Sequence, residues 1–138
     1  MSAGDAEVVR RLYDAFNRRD LDAWLGLFAP DATWHEIPSG EVFDVPDGVR
    51  LYYERFASAF PDGRCRDITV RAGEGFVVGE FTGSGTNTGP LLTPDGELPP
   101  SGKRIDIPFC DVHVVENGRV ARTHRYWDTG TFARQMEA

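Results

Sequence analysis

Lysine is almost absent from this chain: Lys103 stands alone beside fourteen arginines. It lies in a polar loop, and a single lysine leaves little scope for Schiff-base chemistry. Cysteine is scarce too. Cys65 and Cys110 form neither a Cys-x-x-Cys pair nor a disulfide framework, so reduced, mostly buried thiols are expected. No apolar run approaches the roughly 18 residues of a membrane span. Nor does the N-terminal stretch, with Asp5 and Glu7, read as a signal segment, and the expected location is the cytoplasm. Positive charge is short as well, 15 basic against 22 acidic residues, which argues against an extended nucleic-acid or anionic-membrane footprint. Internal repeats, glycine-rich phosphate loops and Gly-x-Ser-x-Gly elbows are missing. His35, His113 and His124 show no His-x-His or His-x-x-x-His spacing, so no metal site is expected.

What is present suits one compact domain over residues 1–138, with 41% hydrophobic and 12% aromatic residues. Asp5 to Arg18 reads as an amphipathic helix with Val9, Leu12, Tyr13 and Phe16 on one face. Asp20 can cap a second helix carrying Leu21, Trp24, Leu25 and Phe28 until Pro30-Asp31 stops it. Ala32 to Ile37 is a short strand, and a loop through Pro46 leads to a third helix with Val49, Tyr53, Phe56 and Phe60. From Cys65 the period changes to two. Arg66 to Ala72 and Phe76 to about Thr86 form one hairpin, and Arg104 to Glu116 with Arg119 to Trp127 form another. Between the hairpins, Asn87 to Lys103 holds four prolines and is expected to carry no strand ladder, as a lid or mobile loop. Thr129 to Glu137 is a short final helix. The class is α+β: a curved, mostly antiparallel sheet wrapped around three N-terminal helices, a cone with one open pocket, and a short C-terminal helix.

Alternation along the last strand puts Arg122, His124, Tyr126 and Asp128 on one face together with Val120. Such a face is costly to bury without partners, so it lines a polar pocket or meets solvent. In the solvent case Asp128 is simply the N-cap of the final helix. The turn at Asn117-Gly118 admits two registers. A two-residue turn sets His113 opposite Arg122 and Asp111 opposite His124; a three-residue bulged turn brings Val114, Val112 and Cys110 to that face instead.

Several segments together resemble the SnoaL-like polyketide cyclases, which share a cone-shaped fold with ketosteroid isomerase and scytalone dehydratase. They are Leu12-Tyr13-Asp14-Ala15-Phe16-Asn17-Arg18-Arg19-Asp20, Ala59-Phe60-Pro61-Asp62, Pro99-Pro100-Ser101-Gly102-Lys103, Glu116-Asn117-Gly118-Arg119-Val120, and Tyr126-Trp127-Asp128 leading into Phe132-Ala133-Arg134-Gln135-Met136. The resemblance implies acid/base catalysis without a cofactor, an aldol-type cyclisation or isomerisation of a hydrophobic carbonyl compound such as a polyketide. Asp128 matches the family's general acid/base. It also implies a homodimer through the sheet. The fold hosts dehydratases, hydroxylases and non-catalytic binders as well.

A base beside a carbonyl needs desolvation to be strong and a donor to hold the enolate. Asp128 is the expected base, with His124 and Tyr126 as donors. His35, Arg122, Asp111, His113, Glu80 and Asn87 are further candidates for contact with substrate, and Trp24, Phe28, Tyr53 and Phe56 for apolar walls.

Overall fold

The computed structural model describes residues 2–137. In chain order the elements are α1 (Ser2–Asn17), α2 (Leu21–Gly26), β1 (Phe28–Glu36), β2 (Glu41–Asp44), α3 (Asp47–Ala59), β3 (Arg64–Gly73), β4 (Phe76–Thr86), β5 (Leu91–Thr93), β6 (Gly96–Leu98), β7 (Arg104–Glu116), β8 (Arg119–Trp127) and α4 (Thr129–Glu137). Six strands make one sheet in the order β2-β1-β8-β7-β4-β3, antiparallel except where β1 runs beside β8. The α+β cone with its N-terminal helices and terminal helix is the architecture expected. Among the described residues no helix is long and apolar enough to cross a membrane.

The stripe of α1 does what its spacing demands: Val9, Leu12 and Tyr13 are buried, and the helix packs on β3 and β4. Small residues on β4 let it come close. Val77, Gly79, Phe81, Gly83 and Gly85 share the inward face, and a Cβ at Gly79 would collide with the Tyr13 hydroxyl, one at Gly83 with the Phe109 ring. The glycines make room for aromatic rings against the strand.

Three boundaries differ from expectation. Asp20 does cap α2, accepting from the Ala23 amide at 3.0 Å, but the helix ends at Gly26. Phe28 therefore opens β1, and Pro30-Asp31 fall where its pairing with β8 slips, between Phe28 opposite Val120 and Thr33 opposite Arg122. β2, a four-residue edge strand, was hidden behind the turn at Gly40 (φ 76°). The proline-rich segment holds a small hairpin, β5 with β6, because Pro90, Pro94, Pro99 and Pro100 bracket the two strands and leave their ladder amides free.

At the last turn Asn117 (φ 53°) and Gly118 (φ 75°) form the two-residue turn, and Val115 pairs with Val120. One step on, β8 spends an extra residue, Ala121, so that Val114 pairs with Arg122, Val112 with His124 and Cys110 with Tyr126. This bulge reverses the expected facing. Val120 points inward, yet Arg122, His124 and Tyr126 point outward, while Thr123, Arg125 and Trp127 enter the cone.

Gly79→Ala should displace Tyr13 and lower stability by roughly 1–3 kcal/mol, the usual cost of overpacking. Urea denaturation of the variant checks this, and an unchanged midpoint would show that α1 does not depend on the gap.

Candidate functional site

Between the helices and the inward face of the sheet lies a chamber walled by Tyr13, Phe16, Trp34, Tyr53, Phe56, Phe81 and Phe109. Arg125 reaches into it from β8 and pairs with Asp111 on β7, its partner across the ladder. The contact is two-pronged: Nε donates to Oδ1 at 2.7 Å and Nη2 to Oδ2 at 2.8 Å. Around the guanidinium stand Trp34, Phe109 and Phe81, with ring centres 4.6, 5.1 and 5.3 Å away. These electron-rich faces compensate part of the desolvation of a buried cation.

Asp111 is fully buried, and burial alone would raise its pKa. The charge and hydrogen bonds of Arg125 outweigh that and hold the carboxyl below its usual 3.8. It therefore accepts and does not donate. The Tyr13 hydroxyl, 2.8 Å from Oδ2, must donate to it, so the His113 Nε2 at 3.0 Å must donate to Tyr13. His113 Nδ1 then accepts from the Thr123 hydroxyl at 2.7 Å. Burial, chiefly, pushes the pKa of His113 down to about 4, which is consistent with one neutral tautomer in this chain of bonds.

The second buried carboxyl behaves in the opposite way. Glu36, at the inward end of β1, accepts from the Trp34 Nε1 at 3.2 Å and the Trp127 Nε1 at 2.5 Å. Desolvation raises its pKa above 4.5 despite the opposing pull of Arg125 and of these donors. Tyr52 stands between the two systems, accepting from Arg125 Nη1 at 3.3 Å and facing the Glu36 carboxyl. Glu36 and Trp127 line a second compartment under β5, which shares Tyr52 and Phe56 with the first chamber. A carboxyl poised to take a proton, beside a hydroxyl and a cation, is a set suited to removing a proton next to a carbonyl.

The structure redistributes the expected residues. Asp128 does not enter the cone; it caps α4 in solvent, accepting from the Gly130 amide at 2.9 Å and the Thr131 hydroxyl at 2.8 Å, and these bonds lower its pKa. His124, Tyr126 and Arg122 lie on the outer face because of the bulge at Ala121. His35 is outside too, its ring 4.6 Å from that of His124, since Trp34 and Glu36 take the inward positions of β1. Glu80 faces out and pairs with Arg71 at 2.9 Å. Asn87 is buried but serves the backbone, donating to Ala59 and Gly89 and accepting from Ser101. Phe28 is core, packed on Trp24. Trp24, Tyr53 and Phe56 do line the chamber. Asp111 and His113 are inside, behind the chamber wall as partners of Arg125 and Tyr13. Among the described residues no group of three or more His, Cys, Asp or Glu could hold a metal ion.

Sequence reasoning passed over Glu36, Tyr52, Arg125 and Trp127. A signal existed for one of them: Glu36 alternates with Trp34 on β1, which marks the inward face once the Trp is placed in the core. Arg125 and Trp127 became visible only with the bulge.

The chain matches the family described as SnoaL-like domain over residues 9–123. Among solved structures, a candidate polyketide cyclase from Xanthomonas campestris pv. campestris superposes with a TM-score of 0.85 at 23% identity, covering 98% of each chain. One of the same description from Pseudomonas putida KT2440 gives 0.82 at 24%, covering 95% of this chain and 96% of its own. AclR, a candidate hydroxylase from Streptomyces galilaeus, gives 0.83 at 20%, covering 99% of this chain and 83% of its own. No curated protein matches in sequence. At these identities the structural likeness speaks for the fold.

Asp111→Asn should cost about 3–5 kcal/mol, because it strands the Arg125 charge in the chamber. Replacing both, Asp111→Leu with Arg125→Met, should cost far less. Since the folded pKa of Asp111 is depressed, its contribution is present above pH 3.8 and lost as pH falls through the folded value. Denaturant melts of wild type and both variants at pH 7 and pH 3 test this; equal losses in the single and double variants would contradict it.

Proposed function

The chain belongs to the SnoaL-like domain family, and from that premise we propose a small-molecule enzyme of the cyclase or isomerase kind in which Glu36 carries the proton. The observation behind this reading is that two buried carboxyls are driven apart in pKa, Asp111 down beside Arg125 and Glu36 up by desolvation. Asp111 is spent on Arg125. Glu36, the one raised, borders an open compartment and is aimed by two indole N–H groups. A substrate carbonyl set beside Tyr52 would meet a hydroxyl and the positive field of Arg125 as negative charge builds on its oxygen, while Glu36 takes the neighbouring proton and returns it elsewhere. Intramolecular aldol closure and double-bond isomerisation both follow from that exchange. The aromatic walls suit a flat hydrophobic substrate such as a polyketide.

One observation favours a different reading, a binding protein without turnover: both Glu36 oxygens already accept hydrogen bonds, which weakens a base. The resemblance further implies a homodimer through the sheet, and we assign the partner copy to the outer face, where Val42 and Tyr126 are 54% and 43% exposed. Tyr126→Asp should then give monomers in sedimentation, and an unchanged mass would remove that assignment.

Proton abstraction can be followed directly as α-deuterium exchange into 2-tetralone. Glu36→Gln should slow enzyme-promoted exchange by about 10²- to 10⁴-fold, while Asp128→Asn should leave it near wild type. Exchange should fall as pH drops through the folded pKa of Glu36, above 4.5. A raised folded value also means that stability from protonated Glu36 is full below pH 4.5 and is lost as pH rises through the folded pKa, so wild type should lose ground to Glu36→Gln between acid and neutral pH. If Glu36→Gln exchanges as fast as wild type, Glu36 is not the base.

A further inference from the structure

The two indoles that hold Glu36 are not equivalent. Trp34 is 1% exposed and locked among Trp24, Phe28 and Tyr52, with the Arg125 guanidinium over its face. Its Nε1 meets Glu36 Oε1 at 3.2 Å, a long bond from a fixed donor. Trp127 makes the short bond, 2.5 Å to Oε2, and is only half-buried. Its ring packs on Phe109 of β7 and on Phe132 of α4, with ring centres 5.7 and 5.6 Å away. The closer of the two donors to the carboxylate is therefore braced by the C-terminal helix.

That helix is lightly anchored. Unlike α1, α2 and α3, it has no buried residue among those described. Phe132 and Met136 pack against the core only partly buried, and the main fastening is polar. The Gln135 side chain donates to the Asp106 carbonyl at 2.9 Å and accepts from the Asp106 amide at 2.7 Å. Few buried apolar contacts give a segment a low free energy of opening. Thr129 and Phe132 also wall the second compartment, so an occupant there would bear on the helix that braces Trp127.

We propose that α4 regulates Glu36 through Trp127: with Phe132 seated, the Trp127 N–H occupies Oε2 and weakens the base, and when α4 lifts, that bond is released and the carboxylate gains affinity for a proton. The inference deepens the reading of Glu36 as the base and rests on it for calling the consequence catalytic. It accounts for a base that is held at both oxygens while the helix is closed. A hydrogen bond to the charged form lowers a carboxyl pKa, so its loss raises the pKa. The titratable and charged groups facing Glu36 come from other elements: Arg125 on β8, Tyr52 and Arg55 on α3, and Glu41 on β2, the last two paired at 3.0 Å. From α4 only Thr129 and Phe132 line the compartment, while Arg134 and the capping Asp128 lie in solvent. Lifting α4 thus changes the bond rather than the field. Water admitted by the movement acts with the opposite sign, since hydration brings a buried carboxyl back toward 4.5.

The test reads Glu36 without turnover. In the full chain, isotopically labelled at its tryptophans, the indole N–H resonances of Trp34 and Trp127 should follow protonation of Glu36, with a midpoint above 4.5 in wild type. Trp127→Phe keeps a ring beside Phe132 but has no N–H. It should raise the midpoint read at Trp34 by about one pH unit, a tenfold gain in proton affinity on losing one hydrogen bond to a charged group. Phe132→Ala should shift the midpoint in the same direction by less, and move the Trp127 resonance toward that of an unbonded indole. Gln135→Ala leaves both rings intact and should do the same, which covers the case of a Phe132→Ala chain that does not fold. In a Trp127→Phe background, Phe132→Ala should add no upward shift, because the bond it acts on is gone. The proposal is overturned if folded Phe132→Ala or Gln135→Ala leaves the midpoint unchanged or lowers it, or if Phe132→Ala raises it equally with and without the Trp127 N–H. Whether Glu36 is the base is decided separately by exchange in Glu36→Gln, so the two readings fail independently.

Discussion

The interior of this protein depends on one ion pair, Asp111 with Arg125. Burying two opposite charges is costly, and here the cost is offset by a two-pronged geometry, by three aromatic faces around the cation, and by a Tyr13 hydroxyl that takes up the second carboxylate oxygen. Once Asp111 is committed to Arg125, the two buried acids no longer have equivalent environments. Asp111 is fixed as an acceptor, which fixes the direction of every proton from Thr123 through His113 to Tyr13. Glu36 feels Arg125 only from beyond Tyr52, and desolvation prevails there. Electrostatic commitment in one place leaves a proton-hungry carboxyl in another.

That pair exists because of a single extra residue. Without the bulge at Ala121, the pleat would put Arg122 and His124 into the cone and turn Arg125 and Trp127 out to solvent. The bulge lies close to a tight Asn-Gly turn, where the twist of a two-residue hairpin is strongest, and its extra residue is an alanine small enough to be accommodated. The slip in β1 between Phe28 and Thr33, opposite Val120 and Arg122, is its counterpart on the neighbouring strand.

The helices, the two long hairpins and the α+β class were legible because amphipathic period and turn chemistry are local properties. Tyr13, Trp24, Tyr53 and Phe56 were legible as apolar faces for the same reason. The site was not, and the reason is specific. Period-two reasoning counts residues and assumes no insertion, so one unpaired residue between Val120 and Arg122 moved every candidate on β8 to the wrong side. Nothing in Val120-Ala121-Arg122 marks a bulge by composition. The polar face of β8 attracted attention as a stripe, while Arg125 and Trp127 looked like ordinary surface until Asp111 and Glu36 were seen opposite them. β5 and β6 were missed for a different cause: prolines that break a long ladder can frame a short one.

Asp128 is the residue type that the resemblance implies for the base, in surroundings that do not suit one. The residue sits at the strand-to-helix junction the resemblance implies, yet Thr131 and Gly130 satisfy its oxygens and solvent surrounds it. Those bonds weaken Asp128 as a base, whereas Glu36 is buried beside two indoles and Tyr52 and its pKa is raised. Three carboxyls stand at comparable places in the sheet: Glu36 at the end of β1, Asp111 in the middle of β7 and Asp128 just after β8. Asp111 on β7 is held in an ion pair and Asp128 after β8 is a cap, which is why the proposed proton transfer is assigned to Glu36 on β1.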